Sequence, residues 1–291
     1  MKRPGRKWKH LLLLVVLLFR TVTAHAAEPF LKGKLLLTGS STMAPLITHM
    51  EQRYRQSHPF VQITVHGISS ARGISDTRNG LNSIGMVSRA LRENENDLRT
   101  FPVGQDGVCF ITSNDSNLKS LTRRQLADIF TGRVTNWKEV GGDDAPISVV
   151  LRDEGGASTK LVAEYLSVRI SDLHGIVIPA ENSVTMRVVG HNPHAVSYVS
   201  FAELNKHDKA RYSVRLLPAD GVMPSRATIN NGTYPLARVL NLVVKGRPSR
   251  LAMDFIRFAT SPRVADILVA DGFMPLVGHR HPHAEGKRRM P

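Results

Sequence analysis

An alternation sustained through the length of this chain limits what it can fold into. Short apolar runs are each followed by a segment whose apolar residues recur at helical spacing. "KLLLTG" leads into a stretch with Met43, Leu46, Ile47, Met50 and Tyr54 on one helical face; "VQITVHG", "SIGMVS", "VCFITS", "ISVVLR", "GIVIP" and "AVSYVSF" read as further strands. Strands that alternate with helices specify an α/β fold. Stop signals agree with this reading. In "LTRRQLADIFTG", Thr122 and Gln125 are spaced as a capping box and Gly132 ends the helix. Near the C-terminus, "SRLAMDFIRFATSP" and "PRVADILVADGF" read as two consecutive helices, the second opened by Pro262 and closed by Gly272.

Three of the strand-to-helix junctions share one chemistry. The first carries Gly39, Ser40, Ser41 and Thr42; the second Gly67, Ser69 and Ser70; the third Arg152, Gly155, Gly156, Ser158 and Thr159. Taken singly, such a turn is an ordinary cap, because Ser and Thr oxygens accept from the first free N–H groups of a helix. The same unpaired N–H groups and hydroxyls can hold an anion. In open α/β sheets ligands bind beyond the carboxyl ends of the strands, which is where all three turns fall. Arg152 adds a planar fork suited to a tetrahedral oxyanion. The three turns together with an arginine favour an anion site.

The two ends are set aside from this fold. "MKRPGRKWKH" is basic, "LLLLVVLLF" is a nine-residue apolar core and "TVTAHAA" offers small residues, the pattern of a secretory signal cleaved after Ala26. A membrane span needs about 20 apolar residues, so this run reads as a signal rather than an anchor. Residues 1–26 carry six basic residues and no acidic one, so removing them lowers the formal charge from +15 to +9. The tail at 279–291, read as disordered, carries four basic residues and Glu285, leaving +6 for the body. A mildly cationic globule suits anionic ligands without implying nucleic acid. Cys109, alone of its type, lies in a strand-like run and reads as a small core residue; no intramolecular disulfide is possible.

From residues 34–275 the chain resembles the periplasmic phosphate-binding proteins of bacterial phosphate ABC transporters. The most specific stretches are "LTRRQLADIFTGRVTNWKEVGGDDAPISVVLRDEGGAST", "NNGTYPLARVLNLVVKG" and "FIRFATSPRVADILVADGFMPL". The resemblance implies a two-lobed, type II binding-protein fold with a hinge and a ligand cleft between lobes. It implies capture of inorganic phosphate and delivery to a membrane permease, by a periplasmic monomer with no cofactor and no enzymatic activity. Lobe 1 is expected to be discontinuous, from 31–105 and 222–278, and lobe 2 to span 106–221.

Carried over position by position, the resemblance places Ser41, Thr42 and the N–H of Met43 in the first phosphate-contacting turn and Ser70 in the second. Arg152 falls on the family's anion-gripping arginine. Gly156, Ala157, Ser158 and Thr159 fall where the family reads Gly-Ser-Gly-Thr, with the turn one residue longer and Ala157 in place of a serine. Glu154 and Arg89 are expected to support these groups from behind. At "LNSIGMVSRAL" the family reads Asp-Ile-Gly, and its aspartate accepts the phosphate proton. Here Ser83 stands instead. A hydroxyl can donate or accept, so this substitution implies weaker rejection of sulfate, compensation by Asp153 or Glu154, or another oxyanion as ligand.

Other classes have less support. No Gly-x-Ser-x-Gly elbow marks a hydrolase. His279, His281 and His283 lie in the basic tail, and "HNPH" at 191–194 lacks a zinc spacing. "GGASTK" lacks the Gly-Lys-Ser/Thr order of a nucleotide phosphate loop. A receptor that binds phosphate only to report it needs the same closed site as a transport protein.

Overall fold

The computed structural model describes residues 31–152, 156–179, 181–206 and 212–276. The expected signal segment, the expected tail and Glu154 therefore lie outside the described residues. No helix among the described residues is long and apolar enough to cross a membrane.

The apolar runs become strands β1 (Gly33–Gly39), β2 (Val61–Gly67), β3 (Ile84–Val87), β4 (Leu98–Ser113), β5 (Ser148–Arg152), β6 (Ile176–Ile178), β7 (Ala195–Ser200), β8 (Val214–Leu216) and β9 (Ala237–Lys245). Their order is β2-β1-β3-β9-β4-β7-β5-β6, with β8 on the side of β4. At one end β1 pairs parallel with β2 and β3; at the other, β5 pairs parallel with β6 and β7. The antiparallel strands β4 and β9 join the two halves. Parallel strands require crossovers, and helices α1 (Ala44–Ser57), α2 (Ser70–Arg78), α3 (Arg123–Phe130) and α4 (Ala157–Leu166) run in those connections and the one after β4.

Two apolar cores form around the two halves. In one, Leu46, Ile47, Met50 and Tyr54 of α1 pack with Leu37, Ile84 and Met86, and with Phe255 and Ile256 of the helix Arg250–Ala259. In the other, Phe110, Phe130, Trp137, Tyr198 and Val199 are joined by Tyr165 and Leu166. This is the two-lobed α/β arrangement. Cys109 is fully buried in the second core, and Trp137 is packed there with its indole N–H donating to the His194 carbonyl (3.0 Å).

The expected boundary at residue 222 does not coincide with these cores. Ile229, Tyr234 and Leu236 pack in the second core, and the chain returns to the first only at Leu240. The Tyr234 hydroxyl donates to the Val108 carbonyl (2.9 Å), which ties this segment to the second lobe. The 16-residue strand β4 makes the opposite passage, with Val103 in the first core and Val108 in the second. A register shift between Pro102 and Gly104 lies beside that passage, and bulges of this kind bend a strand.

Candidate functional site

The register of the first lobe brings its turns together. Gly39, Gly67 and Met86 are paired neighbours at the carboxyl ends of β1, β2 and β3. Gly39 has a φ of +142°, and an added Cβ there would collide with the Met86 carbonyl oxygen, so the chain can turn into α1 this close to β3 only without a side chain. Just beyond, Ser40 N–H donates to the Met86 carbonyl (2.9 Å) and Ser40 Oγ to Ser88 Oγ (2.9 Å). Ser88 N–H in turn donates to Ser70 Oγ (3.1 Å), at the start of α2. Three turns are thereby tied into one buried wall of hydroxyls, Ser40, Ser70 and Ser88 each being 3% exposed or less.

The facing wall comes from the second lobe. Arg152 ends β5 and is 4% exposed; its Nη1 donates to Asn182 Oδ1 (2.7 Å), an oxygen that also accepts from Ser200 N–H (3.0 Å). Burial pushes the Arg152 guanidinium down to about 10, and the neighbouring Arg238 charge adds to this. Gly156 is the N-cap of α4 and, having no side chain, supplies no cap bond of its own. Ser158 follows in the first turn. The Thr159 hydroxyl donates to the Arg152 carbonyl (3.2 Å) and accepts from the Tyr198 hydroxyl (2.8 Å), so it braces strand against helix.

Between the walls lies a cavity of about 20 Å³, lined by residues 40–42, 68–70, Ser88, Arg152 and 156–159. A single water needs about 10–15 Å³ on the same scale, so there is room for a small polar species. Among the described residues, no carboxylate lines it.

Of the expected residues, Ser41, Thr42, Ser70, Arg152, Gly156, Ala157, Ser158 and Thr159 are all at the cavity. Three others are elsewhere. Met43 is fully buried in the first core, and its N–H donates to the Ser40 carbonyl (3.1 Å) within the turn. Ser83 precedes β3, at the amino end of the strand: its Oγ accepts from Leu36 N–H (3.1 Å) and its own N–H donates to the Leu36 carbonyl (2.8 Å). Five extended residues span about 16 Å, and that separates Ser83 from Ser88, which occupies the carboxyl end and the cavity. Arg89 is directed away to Glu95, with which it makes two hydrogen bonds (2.7 and 2.8 Å).

The sequence does not place Ser88 at the cavity, nor Arg238 behind it. Ser88 carried a signal, since it ends an apolar run as Gly39 does. Arg238 carried none, because its partners are 80 and more residues away in sequence: Ser158 Oγ accepts from its Nη1 (3.0 Å) and Asp106 Oδ2 from its Nη2 (2.7 Å).

A second, surface pocket is internally paired. A surface depression carries Arg133, Arg169 and His174, but the two guanidiniums are paired with Asp128 (2.6 Å) and Asp172 (2.7 Å). No group of three or more His, Cys, Asp or Glu among the described residues is arranged to hold a metal ion.

Two α/β lobes joined by paired strands, with one small donor-lined cavity between them, define a binding protein of the two-lobed class. The chain belongs to the PBP superfamily, whose domain model matches residues 24–263. It is 28% identical over 249 residues to the phosphate-binding protein PstS of Bacillus subtilis strain 168, covering 84% of this chain and 81% of that one. Among solved structures it is similar to a putative phosphate ABC transporter substrate-binding protein with bound phosphate from Clostridium perfringens. There the TM-score is 0.76 at 29% identity, covering 84% of this chain and all of the other. An ABC-type phosphate transport receptor from Vibrio cholerae gives a TM-score of 0.72, also at 29% identity, covering 82% and 99%.

Proposed function

We propose that the protein is an exported solute-binding protein that captures inorganic phosphate between its lobes and delivers it to the membrane permease of an ABC transporter. One observation carries the reading: buried hydroxyls of the first lobe and the buried Arg152 of the second converge on one small cavity. The two similar solved structures above are described by their names as phosphate transport components, one of them with phosphate bound. The N-terminal basic, apolar and small-residue pattern supports export.

In this reading Arg152 supplies the charge, and Thr42, Ser70, Ser88 and Ser158, with the first N–H groups of α4, supply neutral hydrogen bonds. A donor set fixed before the ligand arrives costs little reorganisation. Neither wall alone encloses the anion, so binding favours the closed arrangement of the lobes, and closure is what a permease can recognise. Lobe 1 is then 31–103 with 240–276 and lobe 2 is 108–236, with the hinge in the two stretches between. No bond is made or broken in capture and release.

The test is equilibrium dialysis of the mature protein against labelled phosphate, beside the Arg152→Gln variant. Losing a charge-assisted bidentate donor in a dry site is expected to weaken binding by about 100-fold or more. Affinity in the variant equal to that of the parent would remove Arg152, and this site, from the reading.

A further inference from the structure

At the back of the cavity, where β4 and β9 pass between the cores, Asp106 and Arg238 stand directly opposite each other in the antiparallel register. Their side chains are 0% and 2% exposed. Asp106 is saturated: Oδ2 accepts from Arg238 Nε (3.1 Å), Arg238 Nη2 (2.7 Å) and Ser200 Oγ (2.9 Å), and Oδ1 from Ala202 N–H (3.1 Å). The carboxylate therefore holds the guanidinium in one orientation. The far edge of the fork reaches both walls. Nη1 donates to Ser158 Oγ (3.0 Å) in the second lobe and Nη2 approaches Thr42 Oγ1 (3.5 Å) in the first. Thr42 and Ser158 line the cavity, and Arg238 stands behind them.

A hydroxyl has one hydrogen to donate and two lone pairs that accept. When its oxygen already accepts from a cation, its hydrogen is left for the anion, and the first bond strengthens the second. We propose that Arg238, held by Asp106 at the hinge, is a positioning residue that turns Thr42 and Ser158, one from each lobe, into donors aimed at the bound anion. This rests on the phosphate reading above. It assigns to one buried residue the link between the two walls, since the fork meets both hydroxyls only when the lobes are brought together. A purely structural ion pair would tie β4 to β9 without acting through those hydroxyls.

The experiment is a double-mutant cycle read by calorimetric titration with inorganic phosphate. One member is D106N/R238Q, which removes both buried charges together and so leaves neither unpaired. The other is T42A/S158A, and the third protein combines the four substitutions; thermal unfolding of each ligand-free protein confirms that it is folded. Each pair of substitutions is expected to weaken binding by about 10- to 100-fold, and the combination by little more than either alone. Parent-like affinity in D106N/R238Q, or losses that simply multiply in the combined variant, would overturn the assignment while leaving the phosphate reading intact. If D106N/R238Q does not fold, R238K in the parent background replaces it. Lys keeps the charge but lacks the fork, so the same loss is expected, and undiminished affinity would overturn the assignment. A parent protein that does not bind phosphate would overturn the reading and this assignment with it.

Discussion

Ser88 accepts from Ser40, donates its backbone N–H to Ser70 and is 1% exposed at the cavity. Its hydroxyl can meet either a protonated or a bare oxygen of the ligand. An aspartate there would instead demand a ligand proton and repel an anion without one, the condition under which analogues are rejected most strongly. Ser88→Asp is accordingly expected to raise the preference for phosphate over sulfate by about 10-fold or more, measured by competition dialysis. An unchanged ratio would show that Ser88 does not face the ligand. The place of Thr42, Ser70, Arg152 and Ser158 at the cavity is legible in the sequence because each lies at a junction whose strand and helix are both strongly patterned. Ser83 was misplaced by one strand length. The apolar run of β3 is only four residues long, and both of its flanks are serines, so nothing local says which end faces the ligand. Arg238 needed the fold, since its three partners come from the first turn, from β4 and from α4.

At the scale of elements, the β1–α1 junction combines two constraints in one short segment: Gly39 must approach Met86 closely, and Ser40 must bond the Met86 carbonyl. Gly39→Ala should cost at least about 2 kcal/mol of stability in urea unfolding, from a clash with backbone that cannot move aside. A loss near zero would mean that the turn relaxes freely. The segment after β3 is held differently. Glu95 accepts from both Arg89 Nη atoms and from Arg92 N–H, and these bonds, Arg89's first, hold its carboxyl below the ordinary range. A carboxyl with a lowered folded value stabilises the protein above its unfolded value and loses that contribution as pH falls through the folded one. Glu95→Gln should therefore cost on the order of 3 kcal/mol at neutral pH, and the gap from the parent should close as both are acidified below about pH 4. A gap independent of pH would exclude the ion pair as its cause. The Thr122–Gln125 capping box was legible because it is local, and it forms as spaced (3.2 and 2.9 Å). The 16-residue strand β4 was read only in its final stretch because Pro102, Gly104 and Gly107 break the apolar pattern. Pairing along β9 carries the strand through those interruptions.

For the whole molecule, the alternation of strands and helices was enough to specify α/β, and the family resemblance supplied the two lobes. Where the chain passes between them was not legible, because it depends on which core Ile229, Tyr234 and Leu236 join. The arrangement that results places both strand passages beside the cavity, so that Asp106 and Arg238 lie where the chain crosses between the cores and next to the cavity's turns at once. In the proposed reading this cavity holds one phosphate ion. Calorimetric titration of the mature, ligand-stripped protein with inorganic phosphate tests it most directly. Saturable binding of one phosphate per chain is expected, with a Kd on the order of 1 μM or below, equivalent to about −8 kcal/mol or better. No heat beyond dilution, or weak binding of several ions per chain, would contradict it.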